Sequence, residues 1–329
     1  MLNEIKLKLK NIPSLPGVYL MKDKDNNIIY VGKSKSLDKR VKSYFINSSS
    51  HSNKVKRLTN AIYDIEIITT DTELDALLLE CKLIKKYKPM YNKLMKNHEN
   101  YSYLKINNNI EFPYIEVTNS ISDSSVYYGP YMREAKLDEI KDIINETLKI
   151  RQCKRMSKCF KYDLNKCEGP CRGKIKQEEY NKLIGKLISD LKGNSSYIIE
   201  ILQENLQREI KNLNFEKAAQ IQDSIQKINR LLNRQSIINN SYKYILAWIK
   251  INDNNGYKLY VIKNGRLIKS EILNYNTLNT LDKEEYLKMT LGEYKDEYVN
   301  KEIEKFDIDF INIIYNYIKY NKDIEYISK

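Results

Sequence analysis

The sequence predicts an α+β protein that begins with a small α/β domain, in which a short antiparallel sheet is flanked by helices. Two β-rich runs, 17–21 and 28–32, enclose a polar Asp/Asn turn, a pattern typical of a β-hairpin. Apolar residues then recur at helical spacing from 37 to 45, with Lys and Arg between them. A longer helix is predicted for Glu73–Tyr87, because capping-box residues precede it and a proline follows it.

Shorter patterns extend this assignment along the chain. They predict strands at 62–68, 101–106 and 114–118, a helix at 134–149, two helical runs joined by 212–215, strands around the Asn264-Gly265 turn, and a mainly helical stretch at 302–327. The two joined runs predict an antiparallel helical hairpin. We therefore predict four segments: 1–97, the small α/β domain; 98–196, a connecting α+β region with four cysteines; 197–235, the hairpin; and 236–329, a small α+β C-terminal region of unknown role.

The composition favours a polyanionic partner. The chain has 329 residues and 56 Lys and Arg against 43 Asp and Glu, which gives a net charge of +13. Codon bias towards Lys, Asn, Ile and Tyr is an alternative source of this charge. The N-terminus lacks the apolar core of a secretory signal, and no stretch reaches the ~20 apolar residues of a membrane-spanning helix. We therefore expect a cytoplasmic protein without a membrane partner.

One acidic residue, Glu80, is placed unusually on its predicted helix. At about 100° per residue, Asp75, Lys82 and Lys86 share a polar stripe, whereas Glu80 falls on a mostly apolar flank. A carboxylate is costly to bury unless it is paired or coordinates a cation. The residues alone leave both interpretations open: a salt bridge to Lys or Arg, or a metal site.

Aromatic and basic residues accompany the predicted hairpin. The hairpin supplies Tyr19 and Tyr30, and the predicted helix after it supplies Lys33 and Arg40, with Tyr44 one turn beyond. Residues four apart share a helical face, so the Arg40 guanidinium and the Tyr44 phenol could meet at one phosphate. The alternative is that each tyrosine hydroxyl and the arginine are simply solvated.

These residues resemble, in type and order, the GIY-YIG nuclease domain of the UvrC-type endonucleases. The matching positions are Gly17-Val18-Tyr19, Tyr30-Val31-Gly32-Lys33, Arg40, Tyr44, Glu80 and Asn92. The resemblance continues through Tyr128-Gly129-Pro130-Tyr131, Ile150-Arg151-Gln152-Cys153, Cys167-Glu168-Gly169-Pro170-Cys171 and the stretch from Leu213 to Ala219. It covers about two-thirds of the chain.

The resemblance implies metal-dependent hydrolysis of a phosphodiester. One divalent ion, Mg²⁺ or Mn²⁺, would be held through Glu80, and Mg²⁺ suits a site with few protein ligands because it keeps several waters. Tyr19 or Tyr30 would act as the general base, which requires nearby positive charge because a phenol is protonated at pH 7. The remaining implied roles are charge stabilisation by Arg40 and Tyr44, a positive charge from Lys33, and bracing of the site by Asn92.

Four cysteines lie close together in the second segment. Cys153, Cys159, Cys167 and Cys171 have spacings of x5, x7 and x3, which differ from the paired CxxC of a zinc ribbon. Four thiolates can hold tetrahedral Zn²⁺ or an iron-sulfur cluster. The resemblance implies a [4Fe-4S] cluster, with zinc as the alternative.

The implied function is a structure-directed DNA endonuclease of nucleotide excision repair. It would make one incision 3′ to a lesion in damaged double-stranded DNA bound to UvrB, which would dock on the hairpin at 197–235. A single incision is expected, as in the short homologue Cho, because no second nuclease site follows in this sequence. The alternatives are an autonomous GIY-YIG endonuclease of restriction or mobile-element type and a non-catalytic adaptor that only docks UvrB.

Overall fold

The protein is an α+β structure with two compact units. The computed structural model describes residues 2–46, 52–131, 137–157, 160–241, 243–251, 256–293 and 303–329. Met1–His98 and Ser241–Lys329 together form the first unit, and Glu99–Asn240 forms the second. Segments predicted as separate at the two ends of the chain thus contribute to the same unit. Within the described residues, no helix has both the length and the apolar character needed to cross a membrane.

A three-stranded antiparallel sheet organises the N-terminal part of the first unit. Strands β1 (Gly17–Lys22), β2 (Ile28–Ser34) and β3 (Asp64–Thr69) lie in the order β2-β1-β3. The predicted hairpin between β1 and β2 is confirmed, and the Asp23 carboxylate closes its turn by accepting hydrogen bonds from the backbone N–H groups of Asp25 and Asn27. Three helices accompany the sheet: α1 (Leu2–Lys10), α2 (Leu37–Ser43) and α3 (Asn53–Ala61).

The predicted long helix is helix α4, Glu73–Tyr87. It begins with a capping box, in which the Thr72 side chain accepts from the Asp75 backbone and the Asp75 side chain accepts from the Thr72 backbone. It ends at Lys88, whose backbone is left-handed. Helix α4 packs on the sheet through Ala76, Leu83 and Ile84, in one core with Val18, Leu20 and Val31.

In its described residues, the second unit combines a small sheet with four α-helices. Strands β4 (Ser102–Ile106), β5 (Ile115–Thr118) and β6 (Val126–Tyr131) form an antiparallel sheet in the order β5-β4-β6. Helices α5 (Leu137–Leu148), α6 (Gln177–Lys192), α7 (Tyr197–Lys211) and α8 (Phe215–Asn240) follow. Helices α7 and α8 pack together across a three-residue connection and cover the segment predicted as a helical hairpin.

A four-stranded sheet forms the C-terminal part of the first unit. Strands β7 (Ile245–Lys250), β8 (Gly256–Lys263), β9 (Arg266–Asn274) and β10 (Ile324–Ser328) lie in the order β10-β7-β8-β9 and pack with α9 (Tyr275–Thr280), α10 (Lys283–Glu293) and α11 (Ile308–Tyr320). The Asn264-Gly265 turn joins β8 to β9 with positive φ at both residues. The prediction of helix at 302–327 is right for α11 and wrong for β10. Strand β10 pairs antiparallel with β7.

Candidate active site

Three tyrosines form a cluster on one face of the first sheet. The ring centroids of Tyr19 on β1, Tyr30 on β2 and Tyr44 after α2 lie 5.9–6.3 Å apart. The Tyr19 and Tyr44 hydroxyls are hydrogen-bonded at 2.9 Å. Tyr19 is only 1% exposed, whereas Tyr30 is half-buried. The structure therefore brings together the three tyrosines that the sequence analysis selected.

Glycine at position 32 makes room for this cluster. A Cβ atom built on Gly32 would overlap the Tyr19 hydroxyl and would lie 2.5 Å from Tyr19 Cζ and 2.9 Å from Tyr30 Cε1. Real Cβ atoms do not approach neighbours this closely. The absence of a side chain on β2 at this point therefore allows the Tyr19 ring to lie under the strand.

We predict that Gly32→Ala lowers the free energy of unfolding by about 1–3 kcal/mol, because the buried Tyr19 ring must move to admit the methyl group. Thermal or urea unfolding followed by tyrosine fluorescence measures the change. Gly185→Ala is the matched control, since Gly185 lies within α6 and a Cβ there would meet nothing within 4 Å. A Gly32→Ala protein as stable as the wild type would contradict this account of the packing.

Arg40 and Tyr44 converge as their helical spacing predicts. Arg40 Nη2 donates to the Tyr44 hydroxyl at 3.2 Å, and the guanidinium carbon lies 5.1 Å from the centroid of the Tyr44 ring. Arg40 is exposed, so its remaining N–H donors are accessible from solvent. An anionic group that binds here would meet the guanidinium at the edge of the tyrosine cluster.

Glu80 lies on the face of α4 that packs against β2. Its Oε1 accepts a hydrogen bond from the Lys33 backbone N–H at 3.1 Å. In the part of the chain that the structure describes, no lysine or arginine forms a salt bridge with Glu80. Burial raises the pKa of the Glu80 carboxyl above its ordinary value, against the opposing effects of the Lys33 backbone N–H and the charges of Lys33 and Arg40. The salt-bridge interpretation of Glu80 is therefore not supported.

Lys33 lies at the end of β2, not on the following helix as expected, because the strand continues to Ser34. Its Nζ donates to Glu73 Oε1 at 2.7 Å, and Lys35 pairs with the other oxygen of Glu73 at 2.9 Å. Burial acts to raise the pKa of Glu73, but the hydrogen bonds from both lysines outweigh it and lower the pKa. The sequence analysis used Glu73 only as a helix start, and no local signal links it to lysines some forty residues away.

Asn92 closes the open edge of β2. Its Oδ1 accepts from the Val31 backbone N–H at 3.0 Å, and its Nδ2 donates to the Val31 carbonyl at 2.9 Å. Among the described strands, β2 is an edge strand, so no strand pairs with it on this side. The two bonds from Asn92 take the place of strand pairing at Val31. The amide thus holds the strand that carries Tyr30 and Lys33.

The surroundings of Tyr19 and Tyr30 raise the pKa of both phenols. Burial raises the pKa of Tyr19 and of Tyr30 above the ordinary phenol value, and the neighbouring Tyr44 phenol adds to the effect in both. The Arg40 charge acts in the opposite direction and is outweighed. The cationic side chains of the protein therefore do not by themselves convert either phenol into a base.

The four predicted cysteine ligands are only partly described. Cys159 lies outside the described residues, whereas Cys153, Cys167 and Cys171 of the second unit form no disulfide bond within the described part of the chain. Cys153 and Cys167 line one cavity, and Cys167 Sγ accepts from the Gly169 backbone N–H at 3.4 Å. Among the residues with described positions, no three Cys, His, Asp or Glu side chains are grouped as a metal site. The described cysteines therefore do not form a ligand set by themselves.

Comparison with known proteins matches two successive parts of the chain. Residues 15–93 match the family model of the UvrC-like GIY-YIG domain. Residues 101–190 match the model of the UvrC/Cho excinuclease middle domain. The first match contains all seven residues selected for the site, and the second contains all four selected cysteines.

Relatives of known name agree with these matches. The UvrABC system protein C of Clostridium acetobutylicum is 38% identical over 280 residues, which are 82% of this chain and 45% of that protein. The protein of the same name from Caldanaerobacter subterraneus subsp. tengcongensis is 36% identical over 314 residues, 92% of this chain and 49% of that protein. The chain spans about half the length of the curated relatives it matches.

A solved structure matches the first domain. The magnesium-bound crystal structure of the GIY-YIG N-terminal endonuclease domain of UvrC from Thermotoga maritima is 39% identical. The match covers 28% of this chain and 100% of that chain, with a TM-score of 0.26.

Proposed function

Because the chain belongs to the UvrC-type family of GIY-YIG proteins, we propose that it is a metal-dependent DNA endonuclease of nucleotide excision repair. It makes one incision 3′ to a lesion in damaged double-stranded DNA held by UvrB. The observation that carries the proposal is the half-buried Glu80 carboxylate of α4, which has no ion-pair partner among the described residues and accepts a hydrogen bond from the Lys33 backbone N–H of β2. A buried carboxylate of this kind is stabilised by a bound cation.

Glu80 is the residue that would hold the divalent ion, Mg²⁺ or Mn²⁺. An oxygen ligand on a rigid helix fits a hard cation that keeps most of its waters. When bound, such an ion activates water and stabilises charge on the phosphate oxygens. Burial raises the pKa of the Glu80 carboxyl, and a bound divalent cation would act in the opposite direction by stabilising the ionised carboxylate.

The other side chains act on the phosphate and the attacking water. Arg40, exposed and bonded to the Tyr44 hydroxyl, stabilises negative charge on the non-bridging oxygens together with that hydroxyl. Tyr19 or Tyr30 would accept the proton of the water only as a phenolate, after losing its own proton to solvent under the added positive charge of the divalent ion, and we favour Tyr30 because it is the more exposed of the two. Lys33 adds positive charge at the end of β2, and Asn92 braces this strand.

Helices α7 and α8 supply the proposed docking surface for UvrB. Apolar side chains are exposed where the two helices meet: Leu213 of the connection is 72% exposed, and Phe215, the first residue of α8, is 66% exposed. Apolar groups at the tip of a helix pair are suited to burial against a partner helix. The net charge of +13 supports DNA as the second partner.

We predict that Leu213→Asn weakens UvrB binding roughly 30-fold, equivalent to about 2 kcal/mol for the loss of a central apolar contact. Asparagine tolerates the positive φ of 59° at this position, so the backbone is not strained by the change. Calorimetry or surface plasmon resonance with purified UvrB measures the effect. Leu164→Asn, an exposed leucine of the same unit outside α7 and α8, is the control. Equal binding by all three proteins would contradict docking at this connection.

We retain the [4Fe-4S] cluster held by Cys153, Cys159, Cys167 and Cys171 as part of the proposal, with zinc as the alternative. Its support is the presence of four thiols within nineteen residues. Iron, sulfide and zinc analysis of protein purified without oxygen distinguishes the two. A cytoplasmic location is also proposed, and the described cysteines, which form no disulfide bond with one another, suit a reducing compartment.

The test of the proposed function is incision of a lesion-bearing duplex with and without UvrB and Mg²⁺. We expect one nick 3′ to the lesion only when both are present. Cutting of an undamaged plasmid without UvrB would instead support an autonomous GIY-YIG endonuclease. UvrB binding without any nicking would support an adaptor.

A further inference from the structure

Helix α4 belongs to two hydrophobic cores. One face, with Ala76 and Ile84, packs on the sheet that carries the tyrosine cluster. A second face, with Leu74 and Leu78, packs into the C-terminal part of the same unit. Leu74 is 1% exposed and shares that second core with residues of β7, β8, α11 and β10, namely Ile245, Ala247, Ile249, Tyr260, Ile262, Ile314, Ile318 and Ile324. The helix that carries Glu80 is therefore held from both sides.

Polar contacts with the C-terminal region hold the beginning of α4. The hydroxyl of Thr72, the N-cap residue, is 2.5 Å from the Tyr260 hydroxyl of β8. Lys258, also on β8, pairs with Asp71 at 2.5 Å and lies 3.7 Å from Asp75. Residues of the capping box are thus bonded to a strand that lies almost two hundred residues later in the sequence.

A buried ion pair holds the other end of α4. Lys85 Nζ lies 2.5 Å from Asp309 Oδ2 of α11, and the two side chains are 2% and 4% exposed. The rings of Phe306 and Phe310 lie 5.0 and 5.8 Å from the same ammonium group. Lys85 follows Glu80 by less than one and a half helical turns. Because this ammonium group is enclosed, it fixes both the position of α4 along its axis and its rotation about that axis.

We propose that the described C-terminal elements β7, β8, β10 and α11 position Glu80 for its metal ion, with Lys85, Asp309 and Tyr260 as positioning residues that act through α4. The proposal rests on the proposed function, in which Glu80 holds the ion. A metal ligand must be kept within about 0.5 Å of its working geometry by the residues that support it. Among the described residues, the first sheet packs on one face of α4 and the C-terminal elements pack on another. The orientation of the helix therefore depends on both sets of contacts.

The test uses the full chain with Asp309→Asn, which removes the charge that pairs with Lys85. Mn²⁺ binding is measured by electron paramagnetic resonance, and amide hydrogen exchange is followed across α4. We expect the Kd for Mn²⁺ to rise about tenfold or more, as for other residues that support metal ligands, and exchange in α4 to accelerate. At saturating metal, the nicking rate should change less than about twofold. Unchanged Mn²⁺ affinity and unchanged exchange would overturn the proposal.

Asp307→Asn is the matched control. Asp307 forms an equally buried ion pair with Arg266 at 2.7 Å, and that partner lies on β9 and not on α4. We expect Mn²⁺ binding close to that of the wild type. A loss as large as that of Asp309→Asn would show a general effect of a broken ion pair and would overturn the proposal.

Two further variants keep the test decisive. If Asp309→Asn does not fold, Tyr260→Phe replaces it in the test, because this change removes only the hydroxyl that bonds Thr72. The Kd of Tyr260→Phe for Mn²⁺ should rise about threefold, less than the tenfold expected for the loss of a charged partner. An unchanged Kd would overturn the proposal.

Glu80→Gln separates this inference from the proposed function. If it abolishes Mn²⁺ binding while Asp309→Asn and Tyr260→Phe have no effect, only the positioning role fails. If Glu80→Gln leaves Mn²⁺ binding unchanged, the metal assignment and the inference fail together.

Discussion

The Glu80→Gln protein should nick a lesion-bearing duplex at least roughly a thousandfold more slowly than the wild type and should still bind DNA. Losing the carboxylate that holds the divalent ion removes several kcal/mol of charge stabilisation, and about 4 kcal/mol corresponds to a factor of a thousand. The glutamine oxygen can still accept the hydrogen bond from the Lys33 backbone N–H. Nicking assays with UvrB and Mg²⁺, beside gel-shift measurements of DNA binding, give the two quantities.

Stability provides an independent check on the same variant. The pKa of Glu80 is raised by burial, so the ionised carboxylate is less favourable in the folded protein than in the unfolded chain at neutral pH. The neutral glutamine should therefore leave the metal-free melting temperature unchanged or higher. Glu66→Gln, at an exposed glutamate of β3 paired with Lys22, is the control and should nick normally. Parallel losses of nicking and DNA binding in Glu80→Gln would argue against a metal role.

The second large effect is expected at Lys85, whose replacement by methionine should destabilise the first unit by about 3–5 kcal/mol. The change leaves Asp309 buried without its cationic partner, and an uncompensated buried charge is strongly destabilising. Replacing both partners, as in Lys85→Met with Asp309→Leu, removes both charges and should recover most of the loss. Urea unfolding of the full chain measures both variants.

The matched control for this prediction lies on the same helix. Lys82 is exposed, and its replacement by methionine should change the free energy of unfolding by no more than about 0.5 kcal/mol. If Lys85→Met were as mild as Lys82→Met, the ion pair with Asp309 would not contribute to the packing of the C-terminal region on α4.

Much of the site was predictable because its signals are local. Arg40 lies on α2, and Tyr44, four residues later, is the C-cap of that helix with helical backbone angles, so their meeting follows from helical geometry. The hairpin that carries Tyr19 and Tyr30 follows from two β-rich runs and the turn at Asp23. Glu80 was conspicuous because a charged residue interrupts an apolar flank of a well-capped helix.

Other features were missed because their causes are distant in the sequence. Lys33 was expected on a helix, and only the pairing of β2 with β1 shows that the strand includes it. Glu73 pairs with Lys33 and Lys35, and no periodicity predicts such a contact across forty residues. The predicted helix at 302–327 includes strand β10, because that strand depends on pairing with β7, about eighty residues earlier.

By itself, the sequence determined the hairpin, the capped helix and the chemical types of the site residues, because spacing and local hydrogen bonding depend on neighbouring residues only. Tertiary structure alone decided that Glu80 lacks an ion-pair partner in the described part of the chain whereas Lys85, on the same helix, has one. The two charged residues look alike in the sequence. Their environments differ because one faces β2 and the other faces α11, and the packing of segments far apart in the chain determines which face meets which partner.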